Sequence, residues 1–302
     1  MKAAFYTLGC KVNQNETGAL QQMFAEAGYQ IVPATEAADV YIVNSCTVTA
    51  GGNAKSRQWL RRAKRENPAA VTVLTGCYPQ AVPSIESLPP ADIITGTAAR
   101  GKLLQNLQAF LATGKKVVDI VPHQKNEVFE ELPAEQLQGR TRAFVKIQDG
   151  CNRRCAYCII PKARGPVRSR SQNNILQELE ALAATGHKEV VFTGINLPSY
   201  GRDTGTNLAD IVEAAALVPG IERIRLSSLD PDLISETLAR RFGGVKKLCP
   251  SFHLSLQSGC NATLARMRRP YTAEQYWQAA ENLRSALPNA SFTTDVIVGF
   301  PA

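Results

Sequence analysis

Long apolar runs are absent from this chain of 302 residues. A helix that crosses a bilayer needs roughly 18 to 20 consecutive apolar residues, and no segment of the sequence approaches that length. The opening sequence MKAAFYTLGCKVNQNET also turns polar before a secretory-type apolar stretch can form. We therefore expect a cytosolic protein with no membrane partner.

Acidic residues are the scarcer charged class, with 26 Asp and Glu against 34 Lys and Arg, and the formal net charge is +8. This surplus favours a polyanionic partner, although many proteins without such a partner carry a similar one. The content of 44% hydrophobic and 20% charged residues is that of an ordinary globular protein. It excludes a disordered or fibrous chain, and the length suffices for two cores of roughly 100 to 200 residues each.

The first part of the chain alternates β-branched runs with stretches of helical period, which predicts a small parallel α/β domain over residues 1–122. The strand segments are AAFYTLG, VYIVNS, TVLTG and ADIITG. Helical stretches follow them, and in the first of these Leu20, Met23, Phe24 and Ala27 share one face. The periodicity fades in polar, acidic sequence around Pro133 and Gly139, where we place a linker over 123–140.

The alternation resumes over 141–302 with longer helices. Strands are expected at 143–148, 189–194, 223–229, 252–258 and 292–300, with helices around 173–185, 207–218, 232–241 and 272–286. Five strands alternating with helices predict a partial (β/α) barrel, which we expect to be truncated at its carboxyl end because the sequence stops as the fifth strand ends.

Eight cysteines without an export signal are more typical of metal binding or catalysis than of disulfides. Cys151, Cys155 and Cys158 lie in CNRRCAYC, directly after the first strand of the second domain. Three thiolates on one loop at the carboxyl end of a barrel strand can hold a four-iron cluster and leave one iron open to a substrate. Zinc is the alternative, but structural zinc usually takes four ligands from two separate Cys pairs, and no His lies nearby.

Cys10, Cys46 and Cys77 each follow a predicted strand of the first domain. Because parallel strands bring their carboxyl ends to one edge of a sheet, these cysteines can meet at a single point. Three buried small hydrophobic residues would be the alternative, since free cysteine is often buried. That alternative does not explain why all three stand one step past a strand, so we expect a second cluster there, with zinc again open.

The loop C-x3-C-x2-C, with Tyr157 before its last cysteine, resembles the cluster loop of the radical S-adenosylmethionine (SAM) superfamily. The whole chain is similar to the methylthiotransferase family within it. The blocks that carry this resemblance are TLGCKVNQNET, VNSCTVT, LTGCYPQ, DGCNRRCAYCIIPKARGPVRSR, TGIN with PSYG, RIRLSSLDP, LSLQSGC with ARMRRPYT, and DVIVGFP. The sequence that follows Cys10 is most similar to that of the branch that modifies threonylcarbamoyladenosine in tRNA.

The resemblance implies two [4Fe–4S] clusters, an auxiliary one on Cys10, Cys46 and Cys77 and a radical one on Cys151, Cys155 and Cys158. One SAM would then methylate sulfur on the auxiliary cluster, and a second would supply the radical that takes hydrogen from C2 of the modified adenosine at tRNA position 37. The radical is needed because that C–H bond is inert, and the cofactors carry this chemistry. A flavodoxin-like electron donor is a further implied partner.

Two groups of contact residues complete the prediction. The SAM pocket is expected to have Gly194 and Asn196 at its edge. Its other candidate residues are Tyr157, Ser227, Gln257, Ile297 and Val298. Basic residues that could grip RNA phosphates around a splayed-out base are Arg153, Arg154, Lys162, Arg164, Arg168 and Arg170, together with Arg268 in the group Arg266, Arg268 and Arg269. A solvated basic face is the alternative interpretation of these charges.

Three other functions remain open at this point. The substrate could be isopentenyladenosine in tRNA, or an aspartate of a ribosomal protein, since both are substrates of other branches of the family. A non-enzymatic RNA-binding module with structural zinc on its cysteines is the third.

Overall fold

The computed structural model describes residues 1–48, 50–82, 84–132 and 142–301. The chain divides into two compact units, the first formed by Met1–Gln136 with Ile159–Pro166 and the second by Leu137–Cys158 with Val167–Ala302. Part of the predicted linker, residues 133–140, lies outside the described residues. In the described part of the chain, no helix combines the length and apolar composition needed to cross a membrane.

The first unit is built on a six-stranded sheet in the order β2-β1-β3-β4-β5-β6, with every neighbouring pair parallel. The strands are β1 (Lys2–Thr7), β2 (Gln30–Val32), β3 (Val40–Ser45), β4 (Val71–Gly76), β5 (Ile93–Thr95) and β6 (Val117–Asp119). The helices are α1 (Lys11–Glu26), α2 (Ala50–Glu66), α3 (Cys77–Ala81), α4 (Leu103–Thr113) and α5 (Ile160–Arg164).

Strands β3 and β4 form the centre of this sheet, and all of their residues are buried. Continuous burial requires cover on both faces, which is typical of parallel sheets with crossover helices. One face packs Ile42 and Val73 against Leu20 and Phe24 of α1. The other face packs Val43 and Leu74 with residues that include Leu60 of α2. The predicted α/β class of this unit is confirmed.

The second unit contains a three-stranded parallel sheet in the order β11-β10-β7 and a parallel pair β12-β13. Its strands are β7 (Arg142–Lys146), β8 (Gln148–Asp149), β9 (Arg168–Ser169), β10 (Glu189–Thr193), β11 (Arg223–Leu226), β12 (Ser251–His253) and β13 (Ser291–Thr293). Its helices are α6 (Gln172–Ala184), α7 (Leu208–Ala216), α8 (Glu236–Gly243), α9 (Asn261–Arg266) and α10 (Ala273–Ala286). A parallel bridge between Leu229 and Leu254 continues the series from β11 towards β12.

Local sequence sets where the four longer helices of this unit begin. Each starts after a residue whose side chain accepts a hydrogen bond from the first turn, and these are Ser171, Asn207, Ser235 and Thr272. Such caps satisfy backbone N–H groups that a helix cannot bond internally. The helices then bury an apolar face on the strands around Phe192, which confirms the predicted partial barrel.

The structure departs from the predicted elements in length and number. The predicted fifth strand, 292–300, is regular only as β13. Strands β2 and β6 and helices α3, α5 and α9 were not predicted, because three to six residues are too few to show a period. Segment Ile159–Pro166 groups with the first unit, although we had placed it within the barrel domain.

Candidate functional site

The first set of cysteines, Cys10, Cys46 and Cys77, is called here the strand-end triad. Thr7 of β1 pairs with Asn44 of β3, and Ser45 of β3 pairs with Gly76 of β4. These three strands are neighbours in the sheet, so the residues that follow them emerge at one edge. Cys10, Cys46 and Cys77 therefore follow three neighbouring strands at one edge of the sheet, and a shared cluster there stays a prediction.

Two glycines permit close packing of the backbone at this edge of the sheet. Gly9 has a φ of +102°, and a Cβ atom there would lie 3.0 Å from Cys46 Sγ and 2.8 Å from Cys46 Cβ. Gly76 has a φ of +96°, and its Cβ would lie 2.5 Å from Asn44 Oδ1. Side chains rarely tolerate either the backbone conformation or the contact, so only glycine suits these two positions.

A buried polar network surrounds the strand-end triad. Arg164 donates from Nε to Cys77 Sγ at 3.2 Å and from Nη1 to Glu16 Oε1 at 2.5 Å. Its Nη2 donates to Asn13 Oδ1, and Arg100 Nη2 lies 3.0 Å from Glu16 Oε2. Glu16, Arg164 and Arg100 are 0%, 0% and 2% exposed. Arg100 also meets Glu130 at 3.7 Å, so two guanidinium groups are held within the fold here.

Burial and the neighbouring cation act in opposite directions on the charge of the Cys77 sulfur. Burial raises the pKa of the Cys77 thiol, while the charge and hydrogen bond of Arg164 act in the opposite direction. The charges of Glu16 and Cys10 act to raise the pKa of Cys77 further. Thiolates are the form in which cysteine binds metal, and neighbouring cations stabilise them.

The second set, Cys151, Cys155 and Cys158, is called the loop triad and follows β8. Cys151 Sγ accepts from the backbone N–H of Arg153 at 3.4 Å and from Asn196 Nδ2 at 3.7 Å. Cys155 Sγ accepts from Arg269 Nη1 at 3.2 Å. Donors that point at sulfur stabilise negative charge there, as they do around metal-bound thiolates.

Arg269 is fixed in this role by its other partners. Its Nη2 donates to Asp230 Oδ1, its Nε donates to Tyr271 Oη at 3.0 Å, and its guanidinium lies 4.8 Å from the Tyr271 ring centre. Asp230 also pairs with Arg153 at 3.1 Å. We had grouped Arg269 with the charges that could contact RNA, and no signal in the sequence marked it as a partner of Cys155.

Two of the expected SAM-pocket residues have buried polar atoms with unused bonding capacity. In the described residues, Asn196 Oδ1 and Ser227 Oγ have no hydrogen-bond partner although both are buried. Asn196 also lines a cavity of about 480 Å³ together with Asn152 and Arg153. Leaving a buried polar atom unpaired costs free energy, so these atoms fit a polar ligand such as the amino acid or ribose part of SAM.

The remaining expected SAM contacts differ in their surroundings. Gly194 packs so closely on Gln148 that a Cβ would lie 2.8 Å from Gln148 Oε1. Gln257 adopts a φ of +66° and accepts at its carbonyl from the N–H of Ile297 at 2.9 Å. Val298 is 87% exposed. Tyr157 packs edge-on against Phe300 with ring centres 6.1 Å apart, and burial raises the pKa of its phenol to about 12.

The expected RNA contacts differ in their exposure to solvent. The structure does not support such a role for Arg164, Arg168 and Arg170, because these side chains are buried within the fold. Arg168 pairs with Asp149, and Arg170 pairs with Glu178. Arg153 is partly buried and bound to Asp230 and Asp232. Those that remain exposed are Arg154, Lys162 and Arg268.

Neither triad has the geometry of a site for one metal ion. Within the described ranges, no three His, Cys, Asp or Glu side chains are arranged to hold a single ion. Zinc would require its sulfurs to converge at about 2.3 Å from one centre. A [4Fe–4S] cluster instead binds each thiolate through a different iron, so its ligands lie farther apart. The sulfur-only donor sets, with arginine N–H groups aimed at them, fit such a cluster.

Comparison with known proteins agrees with this chemistry. A family model described as the radical SAM superfamily matches residues 145–302, and one described as "Uncharacterized protein family UPF0004" matches residues 2–96. The chain is 42% identical over 301 residues to "Threonylcarbamoyladenosine tRNA methylthiotransferase MtaB" of Bacillus subtilis (strain 168), spanning 99% of this chain and 67% of that protein. It is 41% identical to the protein of the same name from Aquifex aeolicus (strain VF5), spanning 100% of this chain and 74% of that protein. The chain belongs to the radical SAM methylthiotransferase family.

Solved structures support the fold of this methylthiotransferase. The radical SAM methyltransferase TsrM from Kitasatospora setae matches with a TM-score of 0.65 and 13% identity, over 98% of this chain and 66% of that one. The cobalamin-dependent radical SAM enzyme OxsB matches with a TM-score of 0.67 and 13% identity, over 98% of this chain and 49% of that one. At such low identity the likeness concerns the fold alone. Family membership implies SAM and [4Fe–4S] clusters as cofactors.

Proposed function

We propose that this methylthiotransferase converts threonylcarbamoyladenosine at position 37 of tRNA to its 2-methylthio derivative. Relatives named for that reaction are 36–42% identical over nearly the whole chain. Relatives named for the dimethylallyladenosine reaction are 34–37% identical. The structural observation that supports the proposal is that Cys10, Cys46 and Cys77 follow three neighbouring strands of one sheet, in addition to the loop triad. A radical SAM enzyme that only generates a radical needs no second set of three thiolates.

The two triads have separate roles in this proposal. Cys10, Cys46 and Cys77 hold the auxiliary cluster, and Cys151, Cys155 and Cys158 hold the radical cluster. With SAM bound, these groups supply the methyl group, the sulfur and the radical that methylthiolation of an unactivated C–H bond requires.

The chain's own residues orient and shield these groups. Arg269 and Asn196 donate to the loop-triad sulfurs at 3.2 Å and 3.7 Å and fix the loop conformation. The unpaired Asn196 Oδ1 accepts a hydrogen bond from SAM, and the Ser227 hydroxyl accepts or donates one, and together they set the orientation of SAM. Asp230 keeps Arg269 aimed at Cys155 through their ion pair.

The partners follow from the same proposal. Exposed Arg154, Lys162 and Arg268 contact tRNA phosphates, which are read as charge and shape and not as sequence. A flavodoxin-like protein donates the electron, and the reaction takes place in the cytoplasm, where its tRNA substrate is found.

The deciding experiment is mass spectrometry of nucleosides from the tRNA of cells that lack the gene. We expect the 2-methylthio form of threonylcarbamoyladenosine to disappear and to return with the intact gene. Complementation with C46A should fail. C249A is the matched control, because Cys249 belongs to neither triad, and it should restore the product. If the deletion leaves this nucleoside unchanged and instead removes the 2-methylthio form of dimethylallyladenosine, the proposed substrate is wrong.

A second experiment tests the clusters themselves. After anaerobic reconstitution with iron and sulfide, we expect about eight irons per chain, four for each triad. Replacing the loop triad by alanines should leave about four. A colourless protein that retains zinc would instead favour the RNA-binding module.

A further inference from the structure

Arg164 connects the strand-end triad to a buried carboxylate. Its Nε lies 3.2 Å from Cys77 Sγ, and its two terminal nitrogens lie 2.5 Å and 3.1 Å from the oxygens of Glu16. The side chain is 0% exposed. An arginine keeps its charge in any protein environment, so a permanent cation lies next to one of the three sulfurs.

The same network reaches the other two cysteine loops. Arg164 Nη2 donates to Asn13 Oδ1, and Asn13 Nδ2 donates to the carbonyl oxygens of Leu8 at 2.8 Å and Ser45 at 3.0 Å. Leu8 and Ser45 lie just before Cys10 and Cys46 in the sequence. Cys10 Sγ lies 3.9 Å from Asn13 Oδ1. All three cysteine loops are therefore tied together by Asn13 and Arg164.

The position of Arg164 is itself fixed by packing. It is the last residue of α5, whose Ala163 packs in a buried cluster with Cys77 and Ala81 of α3. The carbonyl oxygen of Ala163 accepts from Thr97 Oγ1 at 2.5 Å. These contacts hold the backbone in place, so that the guanidinium is aimed at Cys77 before any cofactor binds.

The direction of the effect follows from electrostatics. An N–H···S bond and a fixed cation stabilise negative charge on a metal-bound sulfur more strongly when the cluster carries an extra electron. Hydrogen bonds to cluster sulfurs and the net charge around them are among the factors that set cluster potentials. Removal of this donor should therefore disfavour the reduced state.

We propose that Arg164 is a positioning residue for the auxiliary cluster. Arg164 keeps Cys77 in place as a ligand and raises the reduction potential of the cluster. This inference rests on the proposed function, because it assumes a cluster on Cys10, Cys46 and Cys77. Arg164 was one of the candidate RNA contacts, and its burial assigns it to the cluster instead.

The test uses the full chain with Cys151, Cys155 and Cys158 replaced by alanine, so that only the strand-end triad can hold iron. In this parent, Arg164→Lys and Arg164→Gln are compared with Arg170→Lys. Arg170 is the matched control, because it is also a buried, ion-paired arginine but bonds to Glu178 and Asn174 and not to a cysteine sulfur. Each protein is reconstituted anaerobically and its iron is counted. Dithionite is then added in steps to supply one electron per cluster. Electron paramagnetic resonance measures the fraction of reduced cluster at each solution potential.

We expect Arg164→Gln to retain at most about half the iron of the parent and to be reduced at a lower potential. Arg164→Lys keeps the charge but not the planar fork of donors, so it should retain more iron and show a smaller shift in the same direction. Arg170→Lys should match the parent in both measurements. Far-UV circular dichroism checks that each chain is folded, and Arg164→Lys decides the question if Arg164→Gln does not fold.

Two results would overturn the inference, and they differ in what else they affect. If the parent binds iron and both Arg164 variants match it in iron content and in potential, the role of Arg164 is wrong and the proposed function stands. If the parent itself binds no iron, the auxiliary cluster is absent, and the proposed function is overturned with the inference.

Discussion

Replacing Glu16 with glutamine should strongly destabilise the first unit. Glu16 Oε1 lies 2.5 Å from Arg164 Nη1, Glu16 Oε2 lies 3.0 Å from Arg100 Nη2, and the carboxylate is 0% exposed. Glutamine has nearly the same shape but no charge, and one of its terminal atoms is a donor. The substitution therefore leaves the guanidinium groups buried without their shared carboxylate, and neither can lose its proton.

The expected cost can be taken from other buried pairs. Removing one partner of a buried ion pair costs about 3–5 kcal/mol, because the remaining charge stays in the low-dielectric interior. For a unit of this size, such a loss corresponds to a fall in Tm of about 10–15 °C. The measurement is thermal unfolding of the iron-free chain, followed by circular dichroism, so that cluster binding cannot mask the effect.

The control is Glu26→Gln on the same helix α1. Glu26 is exposed and accepts a bond from Gln22 at 2.8 Å, so its replacement should change the stability by less than about 0.5 kcal/mol. In the double variant Glu16→Gln with Arg164→Leu, one of the two buried cations is also gone. The loss of stability in the double variant should therefore be smaller than the sum of the losses in the two single variants, by at least about 1 kcal/mol. A Tm for Glu16→Gln equal to that of Glu26→Gln would refute the reasoning.

Three further predictions concern the second unit. Phe192→Ala removes a fully buried ring from β10 and should cost about 3–5 kcal/mol in the free energy of unfolding, as measured in urea. Asn196→Ala should weaken SAM binding about tenfold per bound cluster in equilibrium dialysis, because one polar contact to the ligand is lost. Although burial acts to raise it, the pKa of Glu189 lies below its ordinary value because Arg225 and Arg223 bind the carboxylate. The ion pairs therefore stabilise the fold above the ordinary Glu pKa of about 4.3, and this contribution is lost as the pH falls through the lower folded-state pKa. The Tm difference between the iron-free wild type and Glu189→Gln should shrink accordingly.

Each of these predictions has a matched control. Leu217→Ala, at a side chain that is 82% exposed, should leave the free energy of unfolding almost unchanged, and an equal loss at Phe192 and Leu217 would contradict the first prediction. Gln278→Ala, at an exposed position of α10, should leave SAM binding intact. Glu222 pairs with Lys188 at the surface, and Glu222→Gln should show little dependence of Tm on pH. A Tm difference between the wild type and Glu189→Gln that is constant from about pH 6 to about pH 3 would contradict the prediction for Glu189.

The fold could be predicted where the chain is long enough to show its period. Helix α1 and the buried strands β3 and β4 lie where the sequence placed them, since their apolar spacing persists over several residues. Strands β2 and β6 have three residues each, and helix α5 has five. Elements of this size are formed by pairing and packing with the rest of the unit, and these contacts leave no periodic trace in the sequence.

The candidate site shows the same division. The strand-end positions of Cys10, Cys46 and Cys77 are visible in the sequence, because a residue that follows a parallel strand lies at a known edge of the sheet. The arginines are different. Arg154 and Arg164 lie in the same basic segment, yet one is exposed and the other is 0% exposed beside Cys77. Only burial and ion pairing distinguish them.

The two α/β units, the spacing of both cysteine sets and the family can all be read from the sequence, because they depend on local period and on residues close together in the chain. Which arginine side chains are buried and paired inside the fold depends on the tertiary structure. Arg164 meets Cys77 and Glu16, and Arg269 meets Cys155 and Asp230, across separations of 39 to 148 positions in the sequence. A guanidinium group at any of these positions looks the same in the sequence, and whether it meets solvent, a carboxylate or a sulfur is set only when distant segments pack together.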